Sequence, residues 1–198
     1  MKRRRRCDFA FTLIELLVAI LIIAVLMGLA FPVFQGVQNQ AKKTQAKSDL
    51  TQIVLAVNAF YTEYGRYPVV TGDAPLTDTG DLFFTLRAIA TGSANQADAT
   101  NPRKIVFLNI PDAKDQTAPR SGIKSSDGQW YDPWGQPYRI AIDGTYDNQI
   151  ANPYASTGGA GGDPIRTGVI AWSFGKDTKL GNNGNNKFTD SDDVISWQ

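Results

Sequence analysis

Apolar residues fill the chain from Phe11 to Phe31 almost without interruption, and the one break is Glu15. At 1.5 Å per residue this run makes about 30 Å of helix, the thickness of a bilayer's hydrocarbon core. The pattern then changes from continuous to periodic. Ala46, Leu50, Ile53, Val57, Phe60 or Tyr61, and Tyr64 recur at steps of three and four, which predicts one buried helical face. Gln38, Gln40, Lys42, Lys43, Gln45 and Lys47 supply polar positions between them, and Gly65 with Pro68 marks the stop. The reading is a nearly continuous helix from Phe11 to about Tyr64. Pro32 is expected to kink it or melt it locally, with Gly28 and Gly36 softening the region.

Beyond Tyr64 the pattern becomes that of turns and short strands. "YGRYPVVTGDAPLTDTGD" is rich in Gly, Pro and Asp. "LFFTLRAIA", 82–90, reads as a short helix and "RKIVFLNI", 103–110, as extended chain. "PYRIAID", 137–143, sets Tyr138, Ile140 and Ile142 against Arg139 and Ala141, a half-buried strand, and "GVIAWSFG", 168–175, is a second. The Gly-rich "ANPYASTGGAGGDP" between them reads as a flexible linker. The fold class is therefore α+β. A long N-terminal helix, half membrane-spanning and half amphipathic, packs on a small antiparallel sheet with a C-terminal loop. The divisions are a basic leader 1–10, an apolar helix 11–31, an amphipathic helix 32–64 and a globular part 65–198. That last part includes a variable region 70–129 and an Asp/Gly-rich loop 174–197.

Charge orients this arrangement. The formal net charge of +1 conceals a split, because the first ten residues hold five of the 20 basic side chains and only one of the 19 acidic ones. The remaining 15 and 18 give the body a net charge of −3, so nothing in it reads as a nucleic-acid surface. The basic leader predicts a cytoplasmic N-terminus and a translocated C-terminal domain. Histidine is absent and Cys7 is the only cysteine, which excludes His-based catalysis, His-ligated metals and an intrachain disulfide. Two plain readings of the apolar run are a signal anchor, or a secretory signal peptide cut after Ala30. Glu15 weakens both, since an acid near the centre of a membrane helix costs about 2.5–3.5 kcal/mol, unless, one turn inside, it snorkels to the interface.

"FTLIELLVAILIIAVL", behind a basic leader, resembles the processing and assembly signal of type IV pilins and of the pseudopilins of type II secretion systems. In that family a small residue precedes the cut, an aromatic residue becomes the methylated N-terminus, and a glutamate stands fifth in the mature chain. The matching residues are Ala10, Phe11 and Glu15; Ala10 departs from the usual glycine. The resemblance implies that Glu15 of one subunit meets the Phe11 amine of a neighbour, which would make its burial tolerable. "YTEYGRYP" (61–68), "YDPWGQPYRI" (131–140) and "FGKDTKLGNNGNNKFTDSDDVISW" (174–197) narrow the resemblance to the major pseudopilin.

The final loop holds Asp177, Asp190, Asp192 and Asp193. Its spacing is not that of an EF-hand, and by composition alone it is either a solvated acidic turn or a cation site. The resemblance implies one bound calcium. The Pro-Trp-Gly turn after Asp132 reads as structural punctuation rather than a carbohydrate site. The resemblance further implies a non-enzymatic subunit of an inner-membrane-based periplasmic filament that drives protein export. Its partners would be copies of itself, minor pseudopilins, the inner-membrane assembly platform, the prepilin peptidase and membrane lipid. The alternatives are a type IV pilin of a surface fibre, favoured less because no disulfide pair is present, and a membrane-anchored or secreted binding module.

Overall fold

A computed structural model describes residues 12–198 apart from 71, 157–158, 182–184 and 186, and for 29–34 it describes the backbone alone. Ala10 and Phe11 lie outside the described residues. The chain divides into two compact units, Met1–Ala41 and Lys42–Gln198.

One helix, α1 (Leu13–Tyr64), passes through both units. Its backbone is helical through Pro32 without a break, where the sequence predicts a kink or local melting. In the first unit Leu13, Ile14, Leu16, Leu21, Leu26 and Met27 are all more than half exposed. The expected apolar span, 11–31, extends past the described side chains at both ends. Among the described residues no helix is long and apolar enough to cross a membrane.

In the second unit the periodic face of α1 becomes the core. Ala46, Leu50, Ile53, Ala56, Val57 and Phe60 are buried, while Tyr61 is 39% exposed. Phe60 is thus the residue that continues the stripe. Gly65 ends the helix in the left-handed conformation (φ +66°), and its N–H donates to the Tyr61 carbonyl at 2.8 Å. α2 (Gly80–Leu86) adds Leu82, Phe83 and Leu86 to the same core. It starts earlier and ends sooner than the expected 82–90. The expected extended run 103–110 begins differently: Arg103 lies in a turn, Lys104 takes a left-handed φ of +53°, and residues 104–110 join no ladder. Phe107 and Leu108 instead donate to the Leu86 carbonyl.

The sheets are small and antiparallel. β1 (Gly122–Ile123) pairs with β2 (Trp130–Tyr131). β3 (Arg139–Ile142), β4 (Val169–Ser173) and β5 (Val194–Ile195) form a three-stranded sheet with β4 in the centre. Tyr138, Ile140, Ile142, Val169, Ala171 and Val194 face α1. The other face is not open to solvent as the half-buried pattern predicts. Ala141, Ile170, Trp172 and Ile195 pack under Ile150, Tyr154, Ala160 and Trp197. The described part of the Gly-rich segment is therefore a packed cover, not a linker. Asn152 Nδ2 donates to the carbonyls of Ala160, Gly161 and Gly162, and the Trp197 indole donates to Ala160 at 2.6 Å.

A polar buttress joins helix to sheet inside this core. The Tyr138 hydroxyl donates to Asp49 at 2.8 Å. Burial pushes the Asp49 carboxyl up to about 6, against the hydrogen bond from Tyr138. Asp132 anchors the turn into β3, accepting the N–H groups of Trp134, Gly135 and Gln136 on one oxygen and the Ser173 hydroxyl on the other. These bonds give the Asp-Pro-Trp-Gly turn its structural role.

Candidate functional site

The start of α1 is built around Glu15. Thr12 precedes the first helical residue, and its carbonyl accepts the first intrahelical bond, from Leu16. The Thr12 N–H and hydroxyl donate to the Glu15 carboxylate at 2.8 and 2.7 Å, while the Glu15 N–H donates back to the Thr12 hydroxyl at 3.3 Å. This reciprocal arrangement is a capping box. It satisfies backbone donors that a helix start leaves open, and it gives the carboxylate two donors within its own chain. The sequence reading missed Thr12, although T-x-x-E before an apolar run is the motif that signals it. Glu15 shares a shallow exposed groove with Ile14, Val18, Ala19 and Ile22, so the acid lies in the apolar surface rather than apart from it.

The second candidate lies at the C-terminus. Asp177, Asp192 and Asp193 each offer one carboxylate oxygen, all within 4.8 Å of one another. The loop after β4 carries Asp177, and the segment entering β5 carries Asp192 and Asp193. Pairing of β4 with β5, Ser173 opposite Val194, brings the two segments together. The fourth predicted acid, Asp190, is not in this group. It sits in the 3₁₀ turn Phe188–Asp190 and pairs with Lys187 at 3.2 Å.

The three acids are not alike. Asp177 is exposed and accepts from the Lys179 N–H. Asp192 is half-buried and accepts from the N–H groups of Lys176 and Asp177. Asp193 is 6% exposed. One of its oxygens accepts from the Tyr154 hydroxyl and the Gly181 N–H, and the other is buried with no hydrogen-bond partner among the described residues. Burial, aided by the charges of Asp192 and Asp177, pushes the Asp193 carboxyl up to about 6. A buried acceptor left bare in a cluster of acids is costly unless a cation reaches it. Carboxylate oxygens this close can share an ion bound at about 2.3–2.6 Å, the range of calcium. The donor set, all oxygen with no sulfur or imidazole, fits a hard cation.

Comparisons with known proteins place these features in a context. Residues 5–31 match the prokaryotic N-terminal methylation motif. The chain is 27% identical to the type II secretion system core protein G of Pseudomonas aeruginosa over 143 residues, 72% of this chain and 79% of that one. It is 35% identical to the core protein G of Dickeya chrysanthemi over 68 residues, 34% of this chain and 42% of the relative. It is 39% identical to the type IV major pilin protein PilA of Myxococcus xanthus over 57 residues, 29% of this chain and 26% of that pilin. No solved structure matches significantly. The methylation motif covers Ala10, Phe11 and Glu15. The 143 residues shared with the Pseudomonas protein exceed what the leader and α1 together contain. Motif, long helix and small antiparallel sheets agree, and the chain is similar to type IV pilin-like proteins, the major pseudopilins among them.

Proposed function

We propose that the chain is the structural subunit of a type II secretion pseudopilus, anchored in the inner membrane through the N-terminal part of α1 and assembled into a periplasmic filament. The observation that carries this reading over a surface pilin is the extent of the similarity. It runs over 143 residues to a core protein G and over 57 to a type IV pilin. The exposed apolar surface of Leu13–Met27 supports an anchor, because such a surface needs cover from lipid or from neighbouring helices. The subunit performs no catalysis of its own. The prepilin peptidase would cut after Ala10, and the new Phe11 amine would be methylated.

Inside the filament, Glu15 would exchange its Thr12 donors for the Phe11 amine of a neighbouring subunit. Minor pseudopilins and the inner-membrane platform would be the further partners. We also propose that Asp177, Asp192 and Asp193 hold one calcium ion, with the bare oxygen of Asp193 as its innermost ligand. Calcium would fix the C-terminal loop against the outer face of the sheet.

Two measurements test the reading. Mass spectrometry of the membrane-extracted chain should give an N-terminus at N-methylated Phe11; a chain beginning at Phe31 would mean a secreted soluble domain instead. Deleting the gene should stop export of periplasmic proteins across the outer membrane. Export at the wild-type level with loss of surface fibres would assign the chain to a type IV pilus.

A further inference from the structure

The unit Lys42–Gln198 carries two oppositely charged patches at different levels along its stretch of α1. Where α1 enters, a groove of about 610 Å³ is lined by Lys114, Asp115, Ala118, Arg120 and Ser121. Ser121 also lines a small pocket with Gln45, Asp49 and Gln52 of α1. Asp115 is occupied by its own turn, accepting from the Thr117 N–H, the Thr117 hydroxyl and the Ala118 N–H. Lys114 and Arg120 are exposed, and neither pairs with any described acid. Where α1 leaves, Tyr61, Tyr67 and Tyr146 stack at 4.5 and 5.5 Å between ring centroids. Beside them the carboxylates of Asp73, Asp143 and Asp147 lie within 4.8 Å of one another. Asp143 is buried and Asp73 half-buried, both accepting from the loop 144–148; Asp147 is exposed, and no described lysine or arginine pairs with any of the three.

β3 links the two places. In the turn that leads into it a Cβ on Gly135 would lie 3.5 Å from the Arg120 side chain, and at its end Asp143 follows Ile142. Along α1 the patches are separated by the distance from Asp49 to Tyr61, roughly 18 Å.

We infer that these patches dock head to tail between copies of this chain, the Lys114–Arg120 groove of one copy receiving the Asp73–Asp147 patch of the next, with Tyr146 at the rim. The inference rests on the filament reading above. Charge complementarity selects the occupant. A two-fold dimer through either patch would set like charges against each other, whereas unlike patches make a heterologous contact, which gives an open filament wherever its rotation does not close a ring. That is the geometry a filament requires. Such a contact fixes register through charge, and it weakens with salt.

The test uses the full chain with its assembly machinery, in a Cys7→Ser background. Arg120→Cys combined with Asp147→Cys should give a ladder of disulfide-linked multimers on oxidation, and either substitution alone should give none. Arg120→Glu or Asp147→Lys should each lower filament yield about tenfold or more, and the two together should restore it. Arg120 and Asp147 are both exposed, so these substitutions leave the core of the unit untouched. Filaments of the double-cysteine chain that yield no ladder overturn the inference, as does a wild-type yield from each single charge reversal. Absence of filaments from the wild-type chain overturns the filament reading itself.

Discussion

Replacing Asp193 by Asn separates the two demands made on this side chain. One oxygen of Asp193 accepts two hydrogen bonds, from Tyr154 and Gly181, and the other has no partner among the described residues. Asn keeps the accepting oxygen and puts an NH₂ group where the bare oxygen stood, next to the carboxylates of Asp177 and Asp192. The carboxyl shift from 3.8 to about 6 sets the scale. It corresponds to at most about 3 kcal/mol of unfavourable ionisation at neutral pH, and Asn removes that cost. Without calcium, Asp193→Asn should therefore be more stable than wild type at pH 7. Calcium at 100 times its Kd should stabilise the wild type by about 2.7 kcal/mol and the variant hardly at all, because its innermost anionic ligand is gone.

The two effects have opposite signs, so the order of stability should reverse on adding calcium. For a unit of this size, 1 kcal/mol moves Tm by about 2–4 °C, and the calcium shift of the wild type should be about 5–11 °C. All four tryptophans lie beyond residue 64, so tryptophan fluorescence of the full chain in detergent reports on the globular unit alone. Trp172 and Trp197 lie in the outer core cluster, ring centroids 6.3 Å apart. Equal calcium shifts in wild type and variant would refute the reasoning. So would a variant clearly less stable than wild type in chelator, since it would show that the carboxylate is already satisfied without an ion.

Further outcomes follow from other parts of the molecule. Glu15→Gln should keep the capping box, which accepts Gln as readily as Glu, and should insert normally yet fail to assemble; filaments at the wild-type level would leave the charge of Glu15 without a role. Asp49→Asn should flatten the pH dependence of stability. A carboxyl raised to about 6 in the folded state favours folding when protonated, so stability falls as pH rises from about 4 to 6, and urea melts across that window should show a smaller fall in the variant. Phe60→Ala, at a fully buried position in contact range of Tyr64 and Phe107, should cost about 3–5 kcal/mol, read as a lowered urea midpoint without loss of calcium response.

The helix and the strands β3 and β4 were legible because their apolar periods are strong: three and four along 46–60, two along 138–142. The order of the sheet and the burial of its second face were not. Ala141 is small and neutral in pattern, and what covers it, Tyr154 and Trp197, comes from a Gly-rich segment and the extreme C-terminus. No local signal tells a packed cover from a linker. Asp49 lies in the apolar stripe, three residues after Ala46 and four before Ile53. That position could have announced a buried acid with a partner, though not that the partner is Tyr138, 89 residues on. The acidic loop was legible as a set of four, but the set that converges depends on strand pairing. Ser173 opposite Val194 carries Asp192 and Asp193 toward Asp177, and the 3₁₀ turn carries Asp190 to Lys187.

The capping box changes how Glu15 favours assembly under the filament reading. Had the carboxylate no partner in the free subunit, the whole cost of placing it in the membrane, about 2.5–3.5 kcal/mol, would be relieved on docking. With Thr12 supplying two neutral donors at 2.7–2.8 Å, part of that cost is met before any neighbour arrives. The gain on docking is then the difference between neutral donors and a charged amine. Charge-assisted hydrogen bonds are roughly twice as strong as neutral ones, and more so away from water. On that reading Glu15 would keep a free subunit stable enough to wait in the membrane and would still prefer a neighbour's amine. Thr12→Val separates the two contributions. It removes the hydroxyl donor and leaves the charge, so the waiting subunit should be less stable and the preference for assembly larger. Fewer subunits in the membrane, but a greater fraction of them in filaments, is the expected result. A fall in both would mean that Thr12 serves the assembled state as well as the free one.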